Sequence, residues 1–414
     1  MILIKNKVNI TLIILLILTS LSCDEKVIQD RYIKQNYVAS DFVRSDSQKN
    51  LYFVENRTAY IEKINIYGDK IWKVVVDGEI IFFEIDINDK LYILTKKYGD
   101  IHGGIEYTSS LMKLDINGKE IFNKDMGRLY RAFLGEDDHI YILKEIEDDK
   151  RVFSKLGKNG EVILSKTFNS DEKFSIAKIT EDGFIYLGSD NCSAFLKNCM
   201  YDDDIALTKY DKDFNLIWHK KWGGKGWSTT IKQILFDEEA TKQVIYVGGE
   251  TTGDFDGYIG NKGNHCEARS CTDAFVTKFT EDGEKLWTKM WGEKDQYDRA
   301  DHTFILHKGN FYMMGYYNYY SPVEYLNDGI QYDEAIKLYK LNKDLEFVFA
   351  KSWSMIKSKS SYFKIRYDDM IIDKDDNVYI VGATTGSLDG KEKSSSSYEG
   401  YLIKYKLSDE DLKK

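Results

Sequence analysis

From position 31 onward the chain reads as short apolar runs of strand length, separated by clusters of Asp, Asn and Gly. The runs LYFVE, LYILT, IYILK, IYLGS, IYVGG, FYMMG and VYIVG place a tyrosine at positions 52, 92, 141, 186, 246, 312 and 379. Polar or turn-rich residues precede each of them, as in DKDDN at 373–377. A second marker alternates with the first. In DAFVTKFTEDGEKLWTKMWG, at 273–292, Lys278 precedes Trp287 by nine residues with Gly283 in the turn between them. The same interval joins Lys63 to Trp72, Lys113 to Phe122, Lys155 to Leu164, Lys209 to Trp218 and Lys340 to Phe349. A large apolar residue always fills the later position, so the interval reports packing. A seventh lysine, Lys404 in YLIKYK, has no such partner after it.

Tyr and Lys markers in strict alternation imply four strands per copy: one before the turn, the Tyr strand, the Lys strand and the Trp/Phe strand. Four-stranded units repeated at roughly 40 to 50 residues are the signature of a β-propeller. The expectation is an all-β chain, a single seven-bladed β-propeller of four-stranded antiparallel blades over residues 30–414. Segment 31–38, RYIKQNYV, is the strand that completes the last blade. Closure with one N-terminal and three C-terminal strands removes exposed sheet edges.

The spacing also separates the two faces of the ring. From each Lys to the next Tyr, across both tight hairpins, it is 28 to 39 residues, whereas from each Tyr to its Lys it runs from 11 to 32. The connections between second and third strands are therefore the elaborated ones, longest in blades four to seven. Long loops on a rigid scaffold are where binding resides.

These loops are rich in Asp and aromatics. Blade five contributes TTGDFDGY with Asp254, Phe255, Asp256 and Tyr258, and blade six contributes Tyr317, Tyr319, Tyr320 and Tyr325. The connections between blades add Trp227 and Tyr297. Tyr and Trp give contact area at low entropic cost, which suits a binding surface. The bland alternative is that a chain with 30 Tyr packs these loops on one another. Asp254 and Asp256 alternate as calcium ligands do, but the ligand set of a calcium loop is incomplete and Asp-Gly is also an ordinary turn. No metal or other cofactor is expected.

Composition changes the picture in three places. A net charge of -10, with no basic stripe, argues against a nucleic-acid partner. The single proline, Pro322, suits a strand-rich chain whose turns rely on Gly, Asn and Asp. The start of the chain differs from the rest: two lysines within residues 1–7, an apolar run over 8–18, then Thr-Ser-Leu-Ser before Cys23. That is an export signal, with an apolar run too short for a stable membrane span. Cys23 after Ser22 resembles the bacterial lipoprotein signal, with Ser20 where such signals usually carry Leu. The resemblance implies residues 1–22 as signal peptide, Cys23 as the lipidated residue and 23–29 as a short linker. In an exported chain the close pairs Cys192 with Cys199 and Cys266 with Cys271 read as disulfides within the loops of blades four and five. His265 is the sole neighbour that would suit a metal instead.

DAFVTKFTEDGEKLWTKMWG followed by FYMMG, and DIALTKYDKDFNLIWHKKWGG followed by VIYVGG, resemble the bacterial β-propeller repeats labelled SBBP. More distantly they are similar to PQQ-type propeller repeats. The match covers blades four to seven, while blades one to three are degenerate. The resemblance implies fold and export and no particular reaction.

Catalytic motifs are missing from the sequence: there is no Gly-x-Ser-x-Gly elbow, His-Glu-x-x-His or P-loop, and the six His are scattered. Inner-strand polar residues such as Lys178, Lys232, His302 and Lys364 share no register and read as solvated channel walls. The expectation is a non-catalytic, monomeric binding or scaffolding protein. It would be lipid-anchored in the cell envelope, at the outer membrane or cell surface, with a protein or an envelope glycan as partner. The alternative is a propeller enzyme of quinoprotein or glycan-processing type using the same face.

Overall fold

The computed structural model describes residues 31–34, 40–55, 59–99, 107–146, 150–169, 174–190, 205–223, 229–237, 243–251, 254–257, 273–291, 304–317, 335–354, 365–384 and 399–412. They form seven four-stranded antiparallel sheets, the blades of a propeller. Six blades run in chain order from inner to outer strand, beginning with Ser40–Ser45, Leu51–Glu55, Tyr60–Ile64 and Lys70–Val75. Blade seven takes Ile365–Ile372, Asn377–Thr384 and Glu399–Lys406 from the end of the chain and Arg31–Lys34 from its start. Arg31 lies opposite Lys404 and Lys34 opposite Tyr401. The predicted closing strand is thus in place, over the first half of its predicted span; residues 35–38 lie outside the described residues.

The two sequence markers turn out to be one cross-strand row. Tyr52 lies opposite Lys63, and Lys63 opposite Trp72. The same row joins Tyr186, Lys209 and Trp218 in blade four, and Tyr246, Lys278 and Trp287 in blade five. In blade seven Tyr379 faces Lys404, whose outer neighbour is Arg31.

The row recurs because it builds the junctions between blades. Tyr52 is fully buried, edge-on to Trp72 at 5.6 Å and 6.2 Å from Phe83 of the next blade. Seven apolar clusters fill the ring, one at each junction, and the last joins Val43, Leu51 and Phe53 to Tyr379, Val381 and Leu402. Cross-strand aromatic pairs of this kind, and the apolar area they remove from water, hold the blades together.

The hairpin turns add a polar lock. The Trp72 indole N–H and the Lys63 ammonium both donate to the carbonyl oxygen of Ile116, in the third-to-fourth turn of the next blade, each at 3.1 Å. Trp218 makes the same bond to Glu281 at 3.1 Å. The turn that receives Trp218 must also let the ring approach. Gly283, at φ 78°, is the residue there, and a Cβ on it would stand 3.0 Å from both Trp218 and Lys220.

Candidate functional site

The connections between second and third strands leave one face of the ring, and their lengths divide it. In blade one only four residues separate Glu55 from Tyr60, whereas in blades four to seven the chain runs from Ser189 to Ile205, Thr251 to Asp273, Tyr317 to Ala335 and Thr384 to Glu399. On the opposite face the hairpins stay short throughout.

Within the long loops, residues 254–257 are described, and they are folded into the junction of blades four and five. Phe255 is 1% exposed, with its ring 4.5 Å from that of Phe275. Asp256 adopts a left-handed φ of 49°, and its N–H donates to the carbonyl of Gly223 at 3.0 Å. Its two carboxylate oxygens are engaged by the Lys285 ammonium and the Thr288 hydroxyl. Behind Thr288 the chain of bonds continues to Thr277 at 3.0 Å and on to the indole N–H of Trp222 at 2.9 Å. A satisfied buried network of this sort fixes one arrangement of the segments it joins.

The result is a wedge between two outer strands. It bounds a groove of about 410 Å³, with Lys220 and Lys221 on the blade-four side and Glu284 and Lys285 on the blade-five side. Both signs of charge line it, which suits a polar or mixed surface. Among the described residues no group of three or more His, Cys, Asp or Glu is placed to hold a metal ion.

The sequence expectations fall unevenly on this geometry. Asp254 and Asp256 are half-buried at the wedge, and Phe255 faces the interior, where it packs and cannot touch a partner. Tyr317 ends the second strand of blade six, opposite Ala335. Trp227, Tyr258, Tyr297, Tyr319, Tyr320 and Tyr325 lie outside the described residues, as do Cys23, Cys192, Cys199, Cys266 and Cys271. The leader 1–22 and linker 23–29 lie outside them too. No helix of the described residues is long and apolar enough to cross a membrane.

Two inner-strand lysines read as channel walls are paired: Lys178 with Glu136 at 2.6 Å and Lys232 with Glu250 at 2.9 Å. His302 and Lys364 lie outside the described residues. A charged cluster unseen in the sequence spans three blades. The Arg44 guanidinium binds Glu84 of blade two through both oxygens, at 2.6 and 2.8 Å, and Asp369 of blade seven at 2.6 Å. Burial disfavours its charge, but the two carboxylates outweigh that and hold its pKa above the ordinary value. The geometry of the cluster is that of a brace joining blades one, two and seven.

No family model matches the sequence, and no curated protein matches it. Several solved structures are similar to it at low identity. A streptogramin B lyase is 9% identical, with 91% of this chain and 98% of that chain covered and a TM-score of 0.48. The virginiamycin B lyase of Staphylococcus aureus is 8% identical over 90% of this chain and 98% of that one, with a TM-score of 0.48. BamB from Moraxella catarrhalis is 11% identical over 91% and 98%, with a TM-score of 0.46. At this identity the likeness is one of fold. The resemblance to SBBP-type and PQQ-type repeats rests on the sequence motifs.

Proposed function

We propose that the protein is an exported, lipid-anchored, non-catalytic binding or scaffolding ring of the cell envelope. It would hold a protein or glycan on the long-loop face of blades four to seven. The observation that carries this reading is the division of the ring into one face of short, near-uniform hairpins and one face of elaborated loops, whose described part is braced against the blades and not free-standing. Rigid display of a variable surface is what recognition by complementarity requires. Trp227, Tyr258, Tyr297, Tyr317, Tyr319, Tyr320 and Tyr325 are the aromatic contacts of that surface, with Cys192–Cys199 and Cys266–Cys271 as staples of its loops.

The test replaces residues 252–254 and 258–272 with a short glycine-serine link and keeps 255–257. The expected outcome is an unchanged cooperative unfolding transition and loss of the envelope component that crosslinks to the intact protein. An unchanged crosslinked product would sink the reading. So would covalent capture of a small-molecule substrate analogue, which belongs to a propeller enzyme.

A further inference from the structure

The outer strand of blade seven fixes where the lipid tether leaves the ring. Third strands run from the long-loop face to the hairpin face, and in blade seven that strand is Glu399–Lys406. Its lower end is marked by the N–H of Leu407, which donates at 2.9 Å to the carbonyl of Asp376, in the first-to-second hairpin of the same blade. Arg31 lies opposite Lys404, near that lower end, and Lys34 opposite Tyr401, further up. The chain therefore enters the ring at the hairpin face and climbs towards the long-loop face.

Between Cys23 and Arg31 stand residues 24–30, DEKVIQD, and a fully extended segment of that length spans at most roughly 25 Å. A diacylated cysteine keeps the start of this segment in the bilayer. The hairpin face is thus the nearer one to the lipid.

The chemistry of that face fits contact with headgroups and not insertion. Most of the exposed large apolar side chains among the described residues sit at its end of the blades: Tyr67 and Ile87 in hairpins, and Ile71, Ile121, Ile217 and Leu286 one position ahead of the aromatic that faces the marker lysine or in the matching place. Exposed carboxylates such as Asp213 and Asp282 alternate with them at the turns. Burying these in hydrocarbon would be costly, whereas the polar headgroup layer accommodates both.

We infer that in the anchored protein the hairpin face rests on the headgroup surface of the membrane carrying the lipid, and the long-loop face points away from it. The partner is then taken from the far side, not from within the anchoring leaflet. This rests on the lipid anchor at Cys23 proposed above.

The test uses the full lipidated chain on vesicles of phosphatidylethanolamine with a minority of phosphatidylglycerol and a headgroup-linked energy acceptor. A donor dye is placed by Asn159→Cys, in a hairpin of blade three, or by Lys97→Cys, at the loop end of blade two, and the signal of the identically treated parent chain is subtracted. Strands of this length separate the two ends by roughly 25 Å, so transfer from position 159 should exceed that from 97 about twofold or more. Equal transfer, as a ring standing on edge would give, or reversed transfer from a chain that floats with the vesicles overturns the orientation alone. If the chain floats no better than Cys23→Ala, the anchor reading falls and the orientation falls with it.

Discussion

Lys340 donates to the carbonyl oxygen of Asp411 at 2.6 Å, and through this bond the end of the chain does for blade six what a neighbouring hairpin does for blade one. Blade seven has no third-to-fourth hairpin, because its outer strand comes from the N-terminus. The short helix Asp409–Leu412 occupies the equivalent place. Ser408 and Asp411 cap one another, with N–H bonds of 2.7 and 3.1 Å, and Tyr405 donates to Asp411 at 2.8 Å. Leu412 packs on the apolar cluster between blades six and seven.

Deleting residues 408–414 takes this acceptor from an ammonium on a residue that is 0% exposed. A hydrogen bond to a buried charged group contributes about 1.5–3 kcal/mol, so the loss should be of that order, read as a lower denaturant midpoint. Burial already pulls the Lys340 pKa down, so an apolar replacement is tolerated. Lys340→Met in the shortened chain should recover part of the loss. If shortening leaves the midpoint unmoved, the helix is not a clasp.

The seven marker tyrosines look alike in the sequence and are not alike in the structure. Tyr52 donates to Asp46 at 2.9 Å and Tyr141 to Asp137 at 2.8 Å. The hydroxyls of Tyr186, Tyr246 and Tyr312 are buried with no hydrogen-bond partner among the described residues. Tyr141→Phe should therefore cost about 1–2 kcal/mol, because Asp137 loses a donor in a buried place. Tyr186→Phe and Tyr246→Phe should change stability by less than about 0.5 kcal/mol or raise it, since an unmet buried hydroxyl is itself a cost. Equilibrium unfolding of the three variants decides it.

Asp46 gives stability a dependence on pH. Burial alone would raise its pKa, but hydrogen bonds from Asn50, Lys63 and Tyr52 outweigh this and hold it below the usual carboxylate range. The folded state then binds fewer protons than the unfolded chain. Its contribution is fully present above the unfolded pKa near 4 and is lost as pH falls through the lower folded value. Asp46→Asn should lower the unfolding midpoint at pH 7 and lessen its further fall below about pH 4. Parallel curves for the two proteins below pH 4 would contradict this.

The row of Tyr, Lys and Trp was legible because each blade repeats it and because cross-strand neighbours keep a fixed interval across a tight hairpin, as Lys278 and Trp287 do. Phe255 was not legible. In TTGDFDGY an aromatic between two aspartates reads as loop surface, and the tilted ring contact with Phe275, on a strand of blade five, holds it inward. Nor was the cluster around Arg44: its partners lie 40 and 325 positions away, on strands that meet because the ring closes. Local pattern carries hairpin register well and carries ring closure through side chains not at all.

That cluster is the sharpest test of closure from the inside, because Arg44 of blade one ties blade seven to blade two while the Arg31–Lys34 strand closes the outside. The guanidinium also donates to the carbonyl of Val43 at 2.7 Å, and the Val43 N–H donates to Asp369 at 3.1 Å. Removing the cation leaves the Glu84 and Asp369 carboxylates without the guanidinium they share, in a half-buried seam. Breaking a buried pair from one side costs about 3–5 kcal/mol, and partial exposure puts Arg44→Met at the lower end of that range. Arg44→Lys should also be costly, since an ammonium cannot bind Glu84 through two parallel bonds and Asp369 through a third. Restoring neutrality should matter more than restoring shape: Arg44→Met combined with Glu84→Gln and Asp369→Asn should regain most of the lost stability, measured by denaturant unfolding. If the triple variant unfolds as readily as Arg44→Met, the brace works through packing of the arginine stem and not through its charge.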